Sequence, residues 1–492
     1  MVTSQIEKEL IADIYINRNK TITKALFSST IFHGYKDLLI GQPALSSIEI
    51  TSRVYGFCGG AHQQAATMAL EHLAEAIVPP NAHILRSIIH AAEIVQNSIK
   101  WFYTSFAPDL ADSSFQNHPL HQTAVDRFIA FKGSSFRQGL IGATYPISFY
   151  SSIAGQWPHA EFIIPGGVST VLKSKEITKS KSIIQDFKQK WLEPILLKGS
   201  LESYLQVTSW KELLAWFYEK KAHQNGDLGL FFRTCMEYGL DEIGGGKHPC
   251  LSFGTFWDKN SKLAMIPTHY QKSSKFPSGI FNKMKYRNVK PDDFITSLSA
   301  TFSQPEKEVL GSMPSYEVGS LARMLLLGKR NKKEHTQSHH ELIKDIFSEK
   351  GSSVFIRAFA RLHEIMVLTD FIEKSLDELN HKGEFSQPAI LKDGIGFGMT
   401  EAPRGSLAHL VELEKGKIKN YQILAPTIAN INVGATEKKC APLGQALIGL
   451  TIKDIENPVE IGLIARSFDA CLRCTINFKK SSSKKEIRQV TI

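Results

Sequence analysis

Apolar and polar residues alternate along Leu10-Ile11-Ala12-Asp13-Ile14-Tyr15-Ile16 and again over residues 21–27, which is the two-residue period of strands. Asn17-Arg18-Asn19 between them reads as the joining turn, so a small sheet is predicted within residues 1–50. Past Gly59-Gly60 the Ala-rich run 61–78 has helix-forming composition and stops at Pro79-Pro80. Asn81 is placed to cap a second helix, in which Ile84, Leu85, Ile88, Ala92, Val95, Ile99 and Phe102 recur at three- and four-residue spacing. That stripe of about five turns marks a long core helix. Helical patterns also cover residues 182–191, 201–221 and 354–379, the last with Ser352 or Ser353 available as N-cap. Late in the chain, residues 409–413 and 418–424 flank Lys415-Gly416 and predict a hairpin. Gly166-Gly167 and Gly244-Gly245-Gly246 read as bends or close backbone approaches, because neither fits a nucleotide loop. The expectation is an α+β fold, predominantly α-helical, with long central helices, a small N-terminal sheet and peripheral hairpins.

Composition narrows the class. With 492 residues, 42% hydrophobic and 22% charged, the chain can bury a sizeable core and is not disordered as a whole. No long Pro, Gly or Ser linker divides it, so residues 1–492 read as one intertwined domain. The start of the chain lacks a secretory signal, and no apolar run reaches the roughly 18 residues of a membrane span. A cytoplasmic location is expected, or a peripheral one at the membrane through partner subunits. The formal charge of +10 is concentrated in short Lys runs, at 173–190, 329–333 and 479–485, which read as solvated segments rather than a nucleic-acid surface. Six cysteines are too few for a secreted disulfide framework. Cys235, Cys250 and Cys440 read as buried or incidental thiols.

Cys58, Cys471 and Cys474 carry the chemistry. In Cys471-Leu472-Arg473-Cys474 two residues separate the thiols, so both sulfurs can reach one metal. Alone, the pair is ambiguous between a zinc half-site, a redox pair and chance. The stretch Arg53-Val54-Tyr55-Gly56-Phe57-Cys58-Gly59-Gly60-Ala61-His62 resembles the N-terminal metal motif of nickel-iron hydrogenase large subunits, Arg-x-Cys-Gly-x-Cys-x-x-x-His. Ser467-Phe468-Asp469-Ala470-Cys471-Leu472-Arg473-Cys474-Thr475-Ile476-Asn477 resembles the C-terminal one, Asp-Pro-Cys-x-x-Cys-x-x-His. Between them Pro165-Gly166-Gly167-Val168, Leu251-Ser252-Phe253-Gly254, Phe276-Pro277-Ser278-Gly279, Glu317-Val318-Gly319-Ser320-Leu321-Ala322-Arg323-Met324-Leu325 and Glu401-Ala402-Pro403-Arg404-Gly405-Ser406-Leu407-Ala408-His409 resemble family signatures in the same order. The resemblance spans about residues 7–477.

The resemblance implies the large-subunit fold and a bimetallic centre, with nickel on four thiolates, two of them bridging to an iron that carries cyanide and carbon monoxide. Position by position, Cys58 and Cys474 would bridge and Cys471 would be a terminal nickel ligand, while Tyr55 stands where the other terminal ligand belongs. Tyr55 either binds as a phenolate or fills the space. The second reading is favoured, since phenolate oxygen is a harder ligand than thiolate. Iron is then the better retained metal. Arg404, next to Pro403, resembles the arginine suspended over the metals, with Asp109 and Asp469 as the carboxylates that hold it. Glu7 matches the family's proton-relay glutamate only by its distance from the first strand. His62 is a hydrogen-bond partner to the metal-binding residues rather than a ligand.

Two family magnesium ligands are replaced by Lys36 and Asn477, so magnesium is not expected, and the Lys36 ammonium could take the cation's place. The family's C-terminal extension is removed by a peptidase after nickel enters. Residues 478–492 look like such an extension, expected to stay attached as an exposed, mobile basic tail. Six cysteines cannot build an iron-sulfur relay of the chain's own, which implies an iron-sulfur small subunit, in a dimer of heterodimers or a larger complex. The expected function is dihydrogen oxidation and proton reduction. The alternative is a catalytically altered or inactive structural or sensor subunit on the same fold.

Overall fold

The computed structural model describes residues 9–29, 34–54, 57–256, 279–282, 285–287, 316–327, 341–431, 441–470, 473–481 and 486–491. Elements follow in the order β1 (Glu9–Ile16), β2 (Ile22–Ser29), α1 (Tyr35–Leu39), α2 (Ser46–Val54), α3 (Gly59–Ala74), α4 (Pro80–Trp101), α5 (His121–Phe128) and α6 (Ser134–Ala154). Next come β3 (Ile163–Ile164), β4 (Gly167–Val168), α7 (Ser174–Phe187), α8 (Leu201–Leu205), α9 (Trp210–Glu219), α10 (Lys221–Asn225) and α11 (Asp227–Glu237). The rest are β5 (Cys250–Ser252), β6 (Gly279–Asn282), β7 (Lys285–Arg287), α12 (Ser320–Leu327), α13 (Leu342–Lys350), α14 (Val354–Asp377), β8 (Gly394–Ala402), β9 (Gly405–Glu414), β10 (Lys417–Leu424), α15 (Pro426–Ile431), α16 (Pro442–Leu447), α17 (Val459–Ser467), β11 (Arg473–Lys480) and β12 (Glu486–Thr491). The architecture is α+β and dominated by helix.

Helices α4 and α14 form the centre, packed on each other, with α6 against α4. Each is buried nearly all round rather than along one stripe. Such a helix must pair every polar side chain it carries, and α4 buries Arg86, His90, Glu93 and Asn97 while α14 buries Arg357, Arg361 and Glu364. Pro80 occupies the first turn of α4, where its missing N–H costs nothing. The predicted cap Asn81 instead brackets the backbone of Asn380, accepting its N–H at 3.0 Å and donating to its carbonyl at 2.7 Å. Of the two candidates at the start of α14, Ser353 is the N-cap, and Ser352 accepts from Arg357. The single helix expected over 201–221 is three short ones, because Ser209 caps a fresh start at Trp210 and backbone in extended conformation intervenes at Lys220.

The N-terminal hairpin forms as expected, but the sheet it belongs to has the order β12-β11-β1-β2. Strand β1 runs parallel to β11 and antiparallel to β2, so both ends of the chain share one sheet. The expected mobile tail is corrected here, because β12 adds to the edge of β11 from Thr475↔Thr491 to Lys479↔Glu486. Ladder hydrogen bonds to β11 hold the inner edge of β12 and Val490 packs on the core, which composition alone does not reveal. A second sheet, β10-β9-β8, lies on α3. Its β9–β10 turn is the predicted Lys415-Gly416, both at positive φ. Strand β8 crosses α3 so closely that a Cβ on Gly396 or Gly398 would lie 2.2 or 2.1 Å from the carbonyl oxygens of Ala69 and Ala65.

Candidate active site

Helix α3 starts directly after Cys58, a buried residue at the N-cap position whose thiol does not cap the helix. The capping is done from α4. Glu93 accepts the N–H groups of Gly60 at 3.0 Å and Ala61 at 2.9 Å, answering orphan donors of the first turn. Burial pushes the Glu93 carboxyl up to about 7, against the pull of those two N–H groups and of Arg404. Cys58 thus projects from a helix start whose dipole is answered by a group other than its own sulfur.

The Glu401 to Gly405 segment is the tip of the β8–β9 hairpin, with Ala402 paired to Gly405 and Pro403-Arg404 forming the turn. Arg404 Nε lies 3.4 Å from Asp469 Oδ1, and its guanidinium carbon is 5.9 Å from the ring centroid of Phe57. The hairpin tip, the Cys58 segment and the C-terminal Asp469 segment therefore meet around Arg404. Asp469 adopts φ 52, a region uncommon for a residue with a side chain. Its other oxygen accepts from Arg361 of α14. Burial draws Arg361 below the usual guanidinium value, Asp469 opposes that shift, and Arg323 and Arg404 add to it.

Asp109 holds Arg466. It sits on a 3-10 turn after α4 and a π-helical turn, Phe102–Phe106, and its carboxylate takes Arg466 at 2.7 and 2.8 Å. Burial raises its pKa to about 6, opposed by Arg466. Of the two carboxylates expected to hold Arg404, Asp469 lies against it and Asp109 grips Arg466 of α17. Pro403 contributes its carbonyl, which accepts from Arg323. His62 is fully buried, with Nδ1 2.9 Å from His409 Nε2, and His409 Nδ1 is 2.8 Å from the Tyr421 hydroxyl. Burial holds His409 down to about 3, so this imidazole is neutral.

Glu7, Tyr55 and Cys471 lie outside the described residues, and of Cys474 the backbone is placed, on β11 opposite Leu10. Asn477 donates to Asp13 at 3.1 Å and accepts from Gln489 at 3.0 Å. The ammonium beside that carboxylate is Lys479, 2.6 Å from Asp13, whereas Lys36 belongs to α1, which packs on α2 and β10. Glu93, Arg361 and Glu364, on buried helix faces, and His409, on β9, neighbour the site outside the metal-binding motifs. For the three helical residues the available signal was charge inside helices with no wet face.

Among the described residues no helix is long and apolar enough to cross a membrane. The family described as nickel-dependent hydrogenase matches residues 33–123 and 311–477. The chain is 24% identical to the periplasmic [NiFeSe] hydrogenase large subunit of Desulfomicrobium baculatum, over 98% of this chain and 95% of that protein. It is 22% identical to the hydrogenase-2 large chain of Escherichia coli, over 96% of each. The solved [NiFeSe] hydrogenase of Desulfovibrio vulgaris Hildenborough superposes with a TM-score of 0.71 at 22% identity, covering 94% of this chain and 98% of that one. The fold is shared along nearly the whole length, and the family match includes both the Cys58 and the Cys474 segments. The chain therefore belongs to the nickel-dependent hydrogenase family.

Proposed function

We propose that this large subunit interconverts dihydrogen with protons and electrons at a modified nickel-iron centre held by Cys58, Cys471 and Cys474. The observation that carries the reading is the meeting of Arg404 and Asp469 with the Cys58 end of α3. The residues fit such a centre: thiolates are soft ligands, and metal-bound thiolates would bring negative charge to a segment that the Arg404 guanidinium approaches at Phe57. When bound, the centre would supply the redox metal, with iron carrying cyanide and carbon monoxide, at which dihydrogen splits heterolytically. Tyr55 stands at the motif position of the missing terminal ligand and is read as a non-ligand, so the iron half is better retained than the nickel half.

The chain's own groups have separate parts in this reading. Arg404 presents a fixed positive charge to the reacting atoms, and Asp469, itself held by Arg361, keeps that charge in place. Glu93 holds or releases a proton at its carboxylate oxygens beside the start of α3. Electrons leave through an iron-sulfur small subunit, since this chain's six cysteines cannot also ligate cluster iron. Iron and nickel analysis of the native complex, with infrared spectra in the cyanide and carbon monoxide region, tests the proposal. Iron with both bands and little nickel is the expected result. Neither metal and no bands would overturn it in favour of a structural subunit, and full nickel would give Tyr55 or water a place in the nickel sphere.

A further inference from the structure

We propose that Arg323 is a positioning residue, whose guanidinium fastens the Pro403-Arg404 turn and so sets where the Arg404 side chain points. Two-residue hairpin turns favour geometries that need a positive φ at the first central residue. Proline cannot supply it. The β8–β9 hairpin therefore turns without its preferred geometry, and Gly405, at φ 129, absorbs part of the mismatch. A turn so made inside the protein also leaves its carbonyls facing away from water, where an unanswered acceptor is costly.

Arg323, 1% exposed, answers both. Its Nη1 donates to Ala402 O at 3.0 Å and its Nη2 to Pro403 O at 3.1 Å, the two carbonyls immediately before Arg404. The guanidinium is further committed to carboxylates, with Nε on Glu364 Oε1 at 2.6 Å, Nη2 on Glu364 Oε2 at 2.8 Å and Nη1 on Glu401 Oε2 at 3.1 Å, and its Nη2 also reaches the Ser320 hydroxyl at 3.1 Å. Ser320 donates to Glu364 at 2.6 Å and closes the ring. The far side of the turn is fitted as closely, since a Cβ on Gly405 would lie 2.6 Å from Gly319 N, and one on Gly319 would lie 3.2 Å from Arg404 O. The Glu317 to Leu325 and Glu401 to His409 motifs are thus two halves of one clasp. A planar fork with five N–H donors can hold two carbonyls and two carboxylates at once, and a lysine ammonium cannot.

The functional consequence rests on Arg404 belonging to the site, so the test is independent of turnover. The full chain, purified with its native partners, is compared with R323K and R323Q by hydrogen-deuterium exchange, and by phenylglyoxal labelling read at Arg404 in peptide mass spectra. In both variants the amides of Ala402, Arg404 and Gly405 should exchange about tenfold faster or more, with α4, α14 and the β9–β10 ladder as in the wild type. Arg404 labelling should rise several-fold. Unchanged exchange and labelling in the folded variants would overturn the proposal. Loss of protection throughout the chain in both would also overturn it, assigning Arg323 to global stability. A wild-type complex without dihydrogen turnover would count against the proposed function and leave this result standing.

Discussion

Glu93 and Asp469 show what single residues contribute at this site. Glu93 has a folded pKa of about 7 against an ordinary 4.5, with burial the main cause. A raised folded pKa means that its protonated form favours folding below about pH 4.5 and that this contribution is lost as pH rises through 7. The span amounts to roughly 3 kcal/mol. Urea unfolding at pH 5 and pH 8 should therefore show a wild-type loss that E93Q lacks, and parallel curves for the two proteins would show that Glu93 does not titrate there. Asp469 sits between Arg361 and Arg404. Removing one partner of a buried ion pair costs about 3–5 kcal/mol, so D469N should lower stability by that order, measured by the same unfolding. An unchanged midpoint would mean that the guanidinium groups find other anions. Arg404 and Asp469 were legible in the sequence because short motifs surround them. Glu93, Arg361 and Glu364 were not, because an apolar stripe every three or four residues implies that the positions between its members face water. In α4 and α14 they face other helices.

At the scale of elements, the close crossing of α3 and β8 fixes the helix that begins after Cys58 relative to the hairpin that ends at Arg404. A Cβ on Gly398 would lie 2.1 Å from Ala65 O, 2.7 Å from Ala69 N and 2.8 Å from the Met68 Cβ. Backbone atoms cannot swing aside as a side chain can, so G398A should separate the two elements and cost at least about 1–3 kcal/mol. Thermal unfolding of the variant checks this, and a midpoint within a degree of wild type would show that α3 moves freely over the sheet. The same glycines explain why β8 was not predicted. Gly394, Gly396 and Gly398 read as a turn by propensity, and what selects a strand there is a helix distant in sequence. The β9–β10 hairpin was legible because its turn chemistry and its alternation are both local.

The whole molecule joins its two ends, and this was the least legible feature. Alternation in residues 10–16 announces a strand but not its partner, and the parallel pairing of β1 with β11 joins residues more than 460 positions apart, as in Asp13↔Asn477. Motif order along the chain pointed to the family without showing that the C-terminal segment would be built into the first sheet. The Lys-rich composition of residues 478–492 suggested a solvated tail, whereas its backbone continues the ladder. That placement bears on maturation. Asn477 is paired to Asp13 on one side and Gln489 on the other, so the bond between Asn477 and Phe478 lies within a strand held on both edges. Proteolysis requires a segment that can leave its hydrogen-bonded partners. Cutting here would also strip the core of Phe478, which is fully buried and contributes about 1.5–3 kcal/mol by burial alone, and would remove β12 with it. The segment after Asn477 is thus expected to be retained, in contrast to the extension that the family removes. Intact-mass measurement on the chain from its native host should find residues 478–492 still attached, and a variant truncated after Asn477 should unfold at lower urea than the full chain. A native chain that ends at Asn477 and is as stable as the full-length form would refute this, and would point to ordinary maturation with nickel in place.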